Sequence, residues 1–122
     1  MVDDDDGIRE VATLALQLVA GWEVDTAASG EAAWRSVLER RPDVVLLDVM
    51  MPEVDGPATM ARFRADERTR DLPVIFLTAK STDAGVAEWG HLDLTGVIAK
   101  PFDPMTLAEE ITALLERRAG QR

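Results

Sequence analysis

The sequence predicts an α/β domain built on a doubly wound, five-stranded parallel sheet with five helices. Three observations predict it. Two apolar runs lack alternation, Val44-Val45-Leu46-Leu47 and Pro73-Val74-Ile75-Phe76-Leu77. Segments with apolar residues at three- and four-residue spacing lie between such runs. The two kinds of segment alternate along all 122 residues. A strand that is apolar at every position is buried on both faces, as in a parallel sheet covered by helices. Right-handed crossovers then leave a doubly wound sheet, whose chemistry gathers at the carboxyl ends of the strands.

The elements follow in order. Met1 and Val2 are the stub of a first strand, which looks truncated. Residues 8–20 read as a helix, with Ile8, Val11, Ala12, Ala15, Leu18 and Val19 on one face and Gly21 as its stop. Trp22 to Ala27 alternate weakly and predict an edge-type strand. Ser29 caps a helix over 30–40 whose apolar positions are Ala33, Trp34, Val37 and Leu38, and Arg41-Pro42 stops it. Asp43 to Asp48 form the third strand, and Met51-Pro52 breaks it. Asp55-Gly56-Pro57 turns into a helix over 57–66. The fourth strand is 73–77, a short helix covers 83–90, and Gly96 to Ala99 make the last strand. Asp103-Pro104 starts the last helix, an N-cap followed by proline at the first helical position. Its buried stripe is Leu107, Ile111, Leu114 and Leu115, and it ends near Arg118. One domain over 1–119 and a short tail over 120–122 account for the chain; since it carries no output domain, the expectation is either a single-domain protein or a piece cut from a longer chain.

Composition narrows the function. Twenty-three acidic against 13 basic residues give a formal charge of −10. Direct nucleic-acid binding needs a basic face to neutralise phosphates, so it is not expected. An acidic surface serves solubility and also suits a cation site. There are no cysteines, which removes disulfides, thiol chemistry and cysteine-type zinc sites and fits a cytoplasmic location. No basic stretch leads into an apolar run at the N-terminus, so no secretory signal is read. No apolar run approaches the roughly 20 residues of a membrane span. The lone histidine, His91, reads as a surface group, and Trp22, Trp34 and Trp89 read as packing or surface residues.

The strand ends carry the chemistry. Asp3 and Asp4 follow the first strand, Asp48 ends the third, Thr78 follows the fourth and Lys100 follows the fifth. Each alone has an ordinary reading: a solvated acidic tail, a turn former, a backbone-bonding threonine, an exposed lysine. Together they crowd carboxylates at one rim, where mutual repulsion is relieved by a hard cation. Mg²⁺ favours one or two carboxylates, waters and a phosphate oxygen. A lysine and a threonine hydroxyl complete a phosphoryl-binding site.

These motifs resemble the receiver family of response regulators in two-component signalling. They are Val2-Asp3-Asp4-Asp5; Asp43 through Pro52 followed by Asp55-Gly56; Pro73 through Ala79; and Gly96-Val97-Ile98-Ala99-Lys100-Pro101-Phe102. Asp48 lies 45 residues after Asp3, 30 before Thr78 and 52 before Lys100. The resemblance implies a flavodoxin-like sheet with strand order 2-1-3-4-5. It implies Asp48 as phosphoacceptor, Asp4 as a direct Mg²⁺ ligand, Asp3 as a ligand through water, and the Met50 carbonyl as a further ligand. Thr78 resembles the switch hydroxyl and Lys100 the lysine that pairs with the phosphoryl group. Pro101 resembles a proline after a cis peptide bond. Met50 and Lys80 resemble positions that flank the attacking water. The implied donor is a sensor histidine kinase or a histidine phosphotransfer protein. The implied readout is a shift of the fourth helix, last strand and last helix that changes binding of a downstream protein. Such a domain is a signalling phosphoacceptor, catalysing only its own phosphorylation and dephosphorylation.

The chain departs from the family at two places. Only Met1 and Val2 precede Asp3, where the family has several more strand residues. The expectation is that the natural start lies upstream; a genuinely short strand would instead lower stability or favour pairing with a second chain as a homodimer. Val97 stands where the family usually has an aromatic, which implies a muted switch. Two other functions compete. A haloacid-dehalogenase-type phosphatase would need a second aspartate where Met50 stands. A phosphorylation-independent binding module would not need the full set Asp4, Asp48, Thr78 and Lys100.

Overall fold

In the computed structural model, residues 1–51, 55–78 and 94–120 are described. In chain order they form α1 (Asp6–Ala20), α2 (Gly30–Glu39), β1 (Val45–Asp48), α3 (Gly56–Ala65), β2 (Val74–Thr78), β3 (Gly96–Ala99) and α4 (Leu107–Gly120). The helix expected over 83–90 lies outside the described residues, as do Lys80, Trp89 and His91.

The three strands form a parallel sheet in the order β1-β2-β3. Val45 pairs with Val74 and Asp48 with Leu77, while Ile75 pairs with Gly96 and Thr78 with Ala99. This register brings Asp48, Thr78 and the residue after Ala99, Lys100, to one rim.

Successive side chains of a strand point to opposite faces, so each strand feeds two cores. Val45, Leu47, Val74 and Phe76 pack with Ala33, Val37, Met60 and Phe63 on the α2–α3 side. Leu46, Ile75, Leu77 and Ile98 pack with Ala12, Leu16, Leu107 and Ile111 on the α1–α4 side. Every residue of β1 and β2 is buried, as their unbroken apolar runs require.

The helix termini follow their local chemistry. Asp5 caps α1 by accepting the Ile8 N–H at 3.1 Å, and Gly21 closes it in the left-handed region with φ 69°. Ser29 accepts the Ala32 N–H at 3.1 Å, and Asp55 accepts the Ala58 N–H at 2.9 Å. Two details differ from the sequence reading. The buried face of α1 is Ala12, Ala15 and Leu16, while Val11 and Val19 are exposed and Leu18 is 80% exposed. The helix carries more apolar residues than one face holds, and contact with Leu46, Ile98 and Ile111 selects Leu16. The last helix begins a turn later than Asp103-Pro104 implied. Asp103 instead accepts the Met105 N–H at 2.8 Å and the Thr106 N–H at 3.1 Å, forming a separate turn before Leu107.

The truncated first strand survives as one residue. Val2 forms parallel bridges to Ala27 on one side and Leu47 on the other. Its N–H donates to the Leu46 carbonyl at 2.8 Å, and its carbonyl accepts from the Asp48 N–H at 2.9 Å. The spatial order 2-1-3 is therefore present at that point. The strand expected over Trp22 to Ala27 is reduced to a bridge at Ala27, the residue whose backbone meets Val2. Where the partner would continue lies a cavity of about 630 Å³ lined by Met1, Trp22, Val24, Val37, Leu46 and Leu115, among others.

Two predictions arise from this stub. Fusing four β-branched residues ahead of Met1 should raise the melting temperature by at least about 5 °C, since each buried apolar side chain contributes roughly 1.5–3 kcal/mol. A thermal melt of the extended protein that is no higher than that of the original would contradict it. The second concerns the Met1 ammonium, which donates to the Asp25 carbonyl at 2.9 Å. Burial holds its pKa down at about 6 against the opposing pull of Asp25. The folded state therefore binds this proton more weakly than the unfolded chain. Stability should fall by about 2 kcal/mol as pH drops from 8 to 6, and N-terminal acetylation should flatten that dependence in urea titrations.

Candidate functional site

The site is the rim where the strands end. Asp3 is fixed there by backbone: its N–H donates to the Ala27 carbonyl at 3.1 Å. Its side chain is 1% exposed, and its Oδ1 accepts the Asp5 N–H at 2.9 Å. Asp48 ends β1 with its side chain 5% exposed, and its Oδ1 lies 3.4 Å from the Met50 N. Oxygens of Asp3, Asp4 and Asp48 lie within 4.8 Å of one another, with Asp4 on the exposed side.

Lys100 closes the group from the far end of the sheet. Its N–H donates to the Thr78 carbonyl at 2.8 Å, which sets it just past β3. Its Nζ donates to Asp3 Oδ2 at 2.8 Å and to Asp48 Oδ1 at 2.9 Å. One ammonium thus joins two carboxylates that lie 97 and 52 positions before it in sequence. The Lys100–Pro101 peptide bond is cis, as the resemblance implied. Thr78 is fully buried at the end of β2, between the strands that carry Asp48 and Lys100.

Electrostatics follow from burial and crowding. Burial pushes the Asp48 carboxyl up from its ordinary range, and the nearby Asp3 charge adds to this, while the Lys100 hydrogen bond opposes both. Burial pulls the Lys100 ammonium down, but the hydrogen bonds and charges of Asp3 and Asp48 outweigh it and leave it raised. Two of the three clustered carboxylates, Asp3 and Asp48, share the Lys100 ammonium, and Asp4 adds a third negative charge, so negative charge remains in excess. An all-oxygen set of this kind suits a hard divalent cation. The observed grouping therefore fits a metal held by Asp3, Asp4 and Asp48.

Two residues that the sequence reading did not single out as site residues belong to the surroundings. A Cβ on Gly56 would lie 2.6 Å from the Asp48 carbonyl oxygen and 2.8 Å from the Val49 Cα, so only glycine lets α3 start this close to Asp48. The Asp-Gly pair after the break signals a turn, but the close approach is visible only in three dimensions. Arg9, one turn into α1, donates from Nη1 to the Asp3 carbonyl at 2.7 Å. Nothing in its spacing marks it out.

The chain matches the response regulator receiver domain over residues 1–112. It belongs to the receiver family. Among its relatives, Response regulator Rre1 of Synechocystis is 35% identical over 97% of this chain and 51% of the relative. The phosphate regulon transcriptional regulatory protein PhoB of Pseudomonas aeruginosa is 36% identical over 96% of this chain and 51% of the relative. The chain spans about half the length of these curated relatives. Among solved structures, the chemotaxis protein CheY4 of Vibrio cholerae superposes with a TM-score of 0.85 at 33% identity, covering 93% of each chain. The N-terminal domain of a response regulator receiver protein from Methanoculleus marisnigri gives 0.75 at 38% identity, over 93% of this chain and 92% of that one.

The receiver fold is thus the flavodoxin-like one read from the sequence, and the receiver domain is a signalling unit of two-component systems. No helix among the described residues is long and apolar enough to cross a membrane.

Proposed function

We propose that this receiver domain accepts a phosphoryl group on Asp48 from a phosphohistidine of a sensor histidine kinase or histidine phosphotransfer protein. The observation that carries the reading is the Lys100 ammonium bridging Asp3 and Asp48 at the strand ends. It supports the reading because a buried carboxylate, Asp48, stands beside a fixed positive charge and two further acids.

Asp3, Asp4, Asp48 and the Met50 carbonyl would hold Mg²⁺, which when bound neutralises charge on the phosphoryl oxygens. An oxygen of Asp48 attacks phosphorus in line; the P–O bond forms as the P–N bond to the donor histidine breaks, and the imidazole leaves. Lys100 pairs with an equatorial oxygen, and the Thr78 hydroxyl donates to another. The protein contributes position and electrostatics, the main resources of phosphoryl transfer. Later attack by water on the same phosphorus returns Asp48 and releases phosphate.

The phosphoryl group biases the domain only through contacts that differ between its two states. The face that reads it out includes β3 and α4; the fourth helix expected from the sequence lies outside the described residues. Val97, half-buried in β3, lacks a ring to turn inward and should mute that readout. The domain acts in the cytoplasm and binds a downstream protein through this face, as a monomer or a homodimer. Several relatives are named transcriptional regulators. Any DNA binding in such a protein would come from outside the acidic receiver domain, over residues 1–119 here.

The test is incubation with acetyl phosphate and Mg²⁺, followed by mass spectrometry of the intact chain. Incorporation approaching one phosphoryl group, lost on chelation and on hydroxylamine treatment, is the expected result. No incorporation at saturating Mg²⁺ would overturn the reading.

A further inference from the structure

We infer that Arg9 is a positioning residue for the cation-binding turn Asp3–Asp4, restraining that turn from α1. The inference rests on the proposed Mg²⁺ site.

The turn has few anchors. Upstream, the Met1 carbonyl accepts from the Ala27 N–H at 3.0 Å, Val2 contributes two ladder bonds, and Asp3 one, to the Ala27 carbonyl. Downstream, the Asp3 carbonyl accepts from Arg9 Nη1 at 2.7 Å. That carbonyl belongs to the planar peptide unit joining Asp3 to Asp4. Holding it orients the plane from which the Asp4 Cα departs. Asp3 is additionally held by burial and by Lys100, whereas Asp4 is exposed. Of the three acids, Asp4 therefore depends most on the peptide plane that Arg9 fixes.

Arg9 is built for this. Its side chain is only 19% exposed, and its own N–H is held by the Asp5 carbonyl at 3.1 Å. The planar fork of a guanidinium serves two acceptors at once, and the second is Asp6. Asp6 is 92% exposed, so the pair with it offsets the charge without fixing it.

Positioning and charge predict opposite signs. A cation near a cation site repels, so if charge dominates, Arg9→Gln should bind Mg²⁺ more tightly. If positioning dominates, Arg9→Gln should bind more weakly, by about tenfold, as for other residues that orient metal ligands. The experiment is calorimetric Mg²⁺ titration of the wild type, Arg9→Gln and Arg9→Lys, with folding at the titration temperature checked by circular dichroism. The expected result is about tenfold weaker binding for Arg9→Gln and a smaller loss for Arg9→Lys, which keeps a donor but not the fork. Saturating Mg²⁺ should restore acetyl-phosphate labelling of both to near the wild-type rate. A merely structural role would lower the melting temperature and leave the Mg²⁺ affinity of the folded protein unchanged. Unchanged or tighter binding by Arg9→Gln overturns the inference. Should that variant fail to fold, Arg9→Lys decides: weaker binding supports the inference and unchanged binding overturns it. Failure of the wild type to bind Mg²⁺ defeats the site reading itself, which keeps the two failures distinct.

Discussion

Asp48→Asn is expected to lose phosphoryl incorporation from acetyl phosphate by more than about a thousandfold, because the amide cannot serve as the attacking carboxylate. The same substitution should raise the stability of the metal-free protein. Burial and the Asp3 charge raise the Asp48 pKa, so the folded state pays for ionising it at neutral pH. An asparagine removes that cost and can still accept from Lys100. The paired readout separates loss of chemistry from loss of fold. Labelling of a well-folded Asp48→Asn at the wild-type rate would place the nucleophile elsewhere.

Lys100→Met should carry the largest stability effect at the site. Its ammonium is the shared partner of Asp3 and Asp48, whose side chains are 1% and 5% exposed. Removing one member of a buried ionic group leaves uncompensated charge, at a cost of about 3–5 kcal/mol. Mg²⁺ should recover part of this, so the variant should gain more in melting temperature on Mg²⁺ addition than the wild type does. The Lys100 pKa is raised, so its contribution is fully present below the ordinary lysine range and is lost only as pH rises through the higher, folded-state value. At neutral pH the full effect should appear in denaturant titrations. A loss below about 1 kcal/mol would mean that water, not Lys100, compensates the two carboxylates.

Much of this was legible in one dimension because it depends on local chemistry. Unbroken apolar runs at Val44–Leu47 and Pro73–Leu77 imply burial on both faces, and both faces are buried. Ser29 and Asp55 cap helices because their side chains reach the N–H groups of the next turn. Asp3, Asp4, Asp48 and Lys100 could be expected at one rim because parallel strands point their carboxyl ends the same way.

The rest needed the third dimension. The α1 sequence offers more than one apolar face, and only packing against β1, β3 and α4 selects Ala12, Ala15 and Leu16. The Trp22–Ala27 segment has strand-like composition, yet backbone pairing requires a neighbour within reach, and only Ala27 is bridged, to Val2. Gly56 and Arg9 act through contacts of about 3 Å whose partners no local pattern names. The amino-acid order by itself determined the class of fold and the residue types at the strand ends, because propensity and periodicity are properties of neighbours along the chain. Tertiary structure alone decided which atoms meet, with Lys100 reaching both Asp3 and Asp48 and Arg9 reaching the Asp3 carbonyl, because hydrogen bonds and charge pairs depend on separation in space.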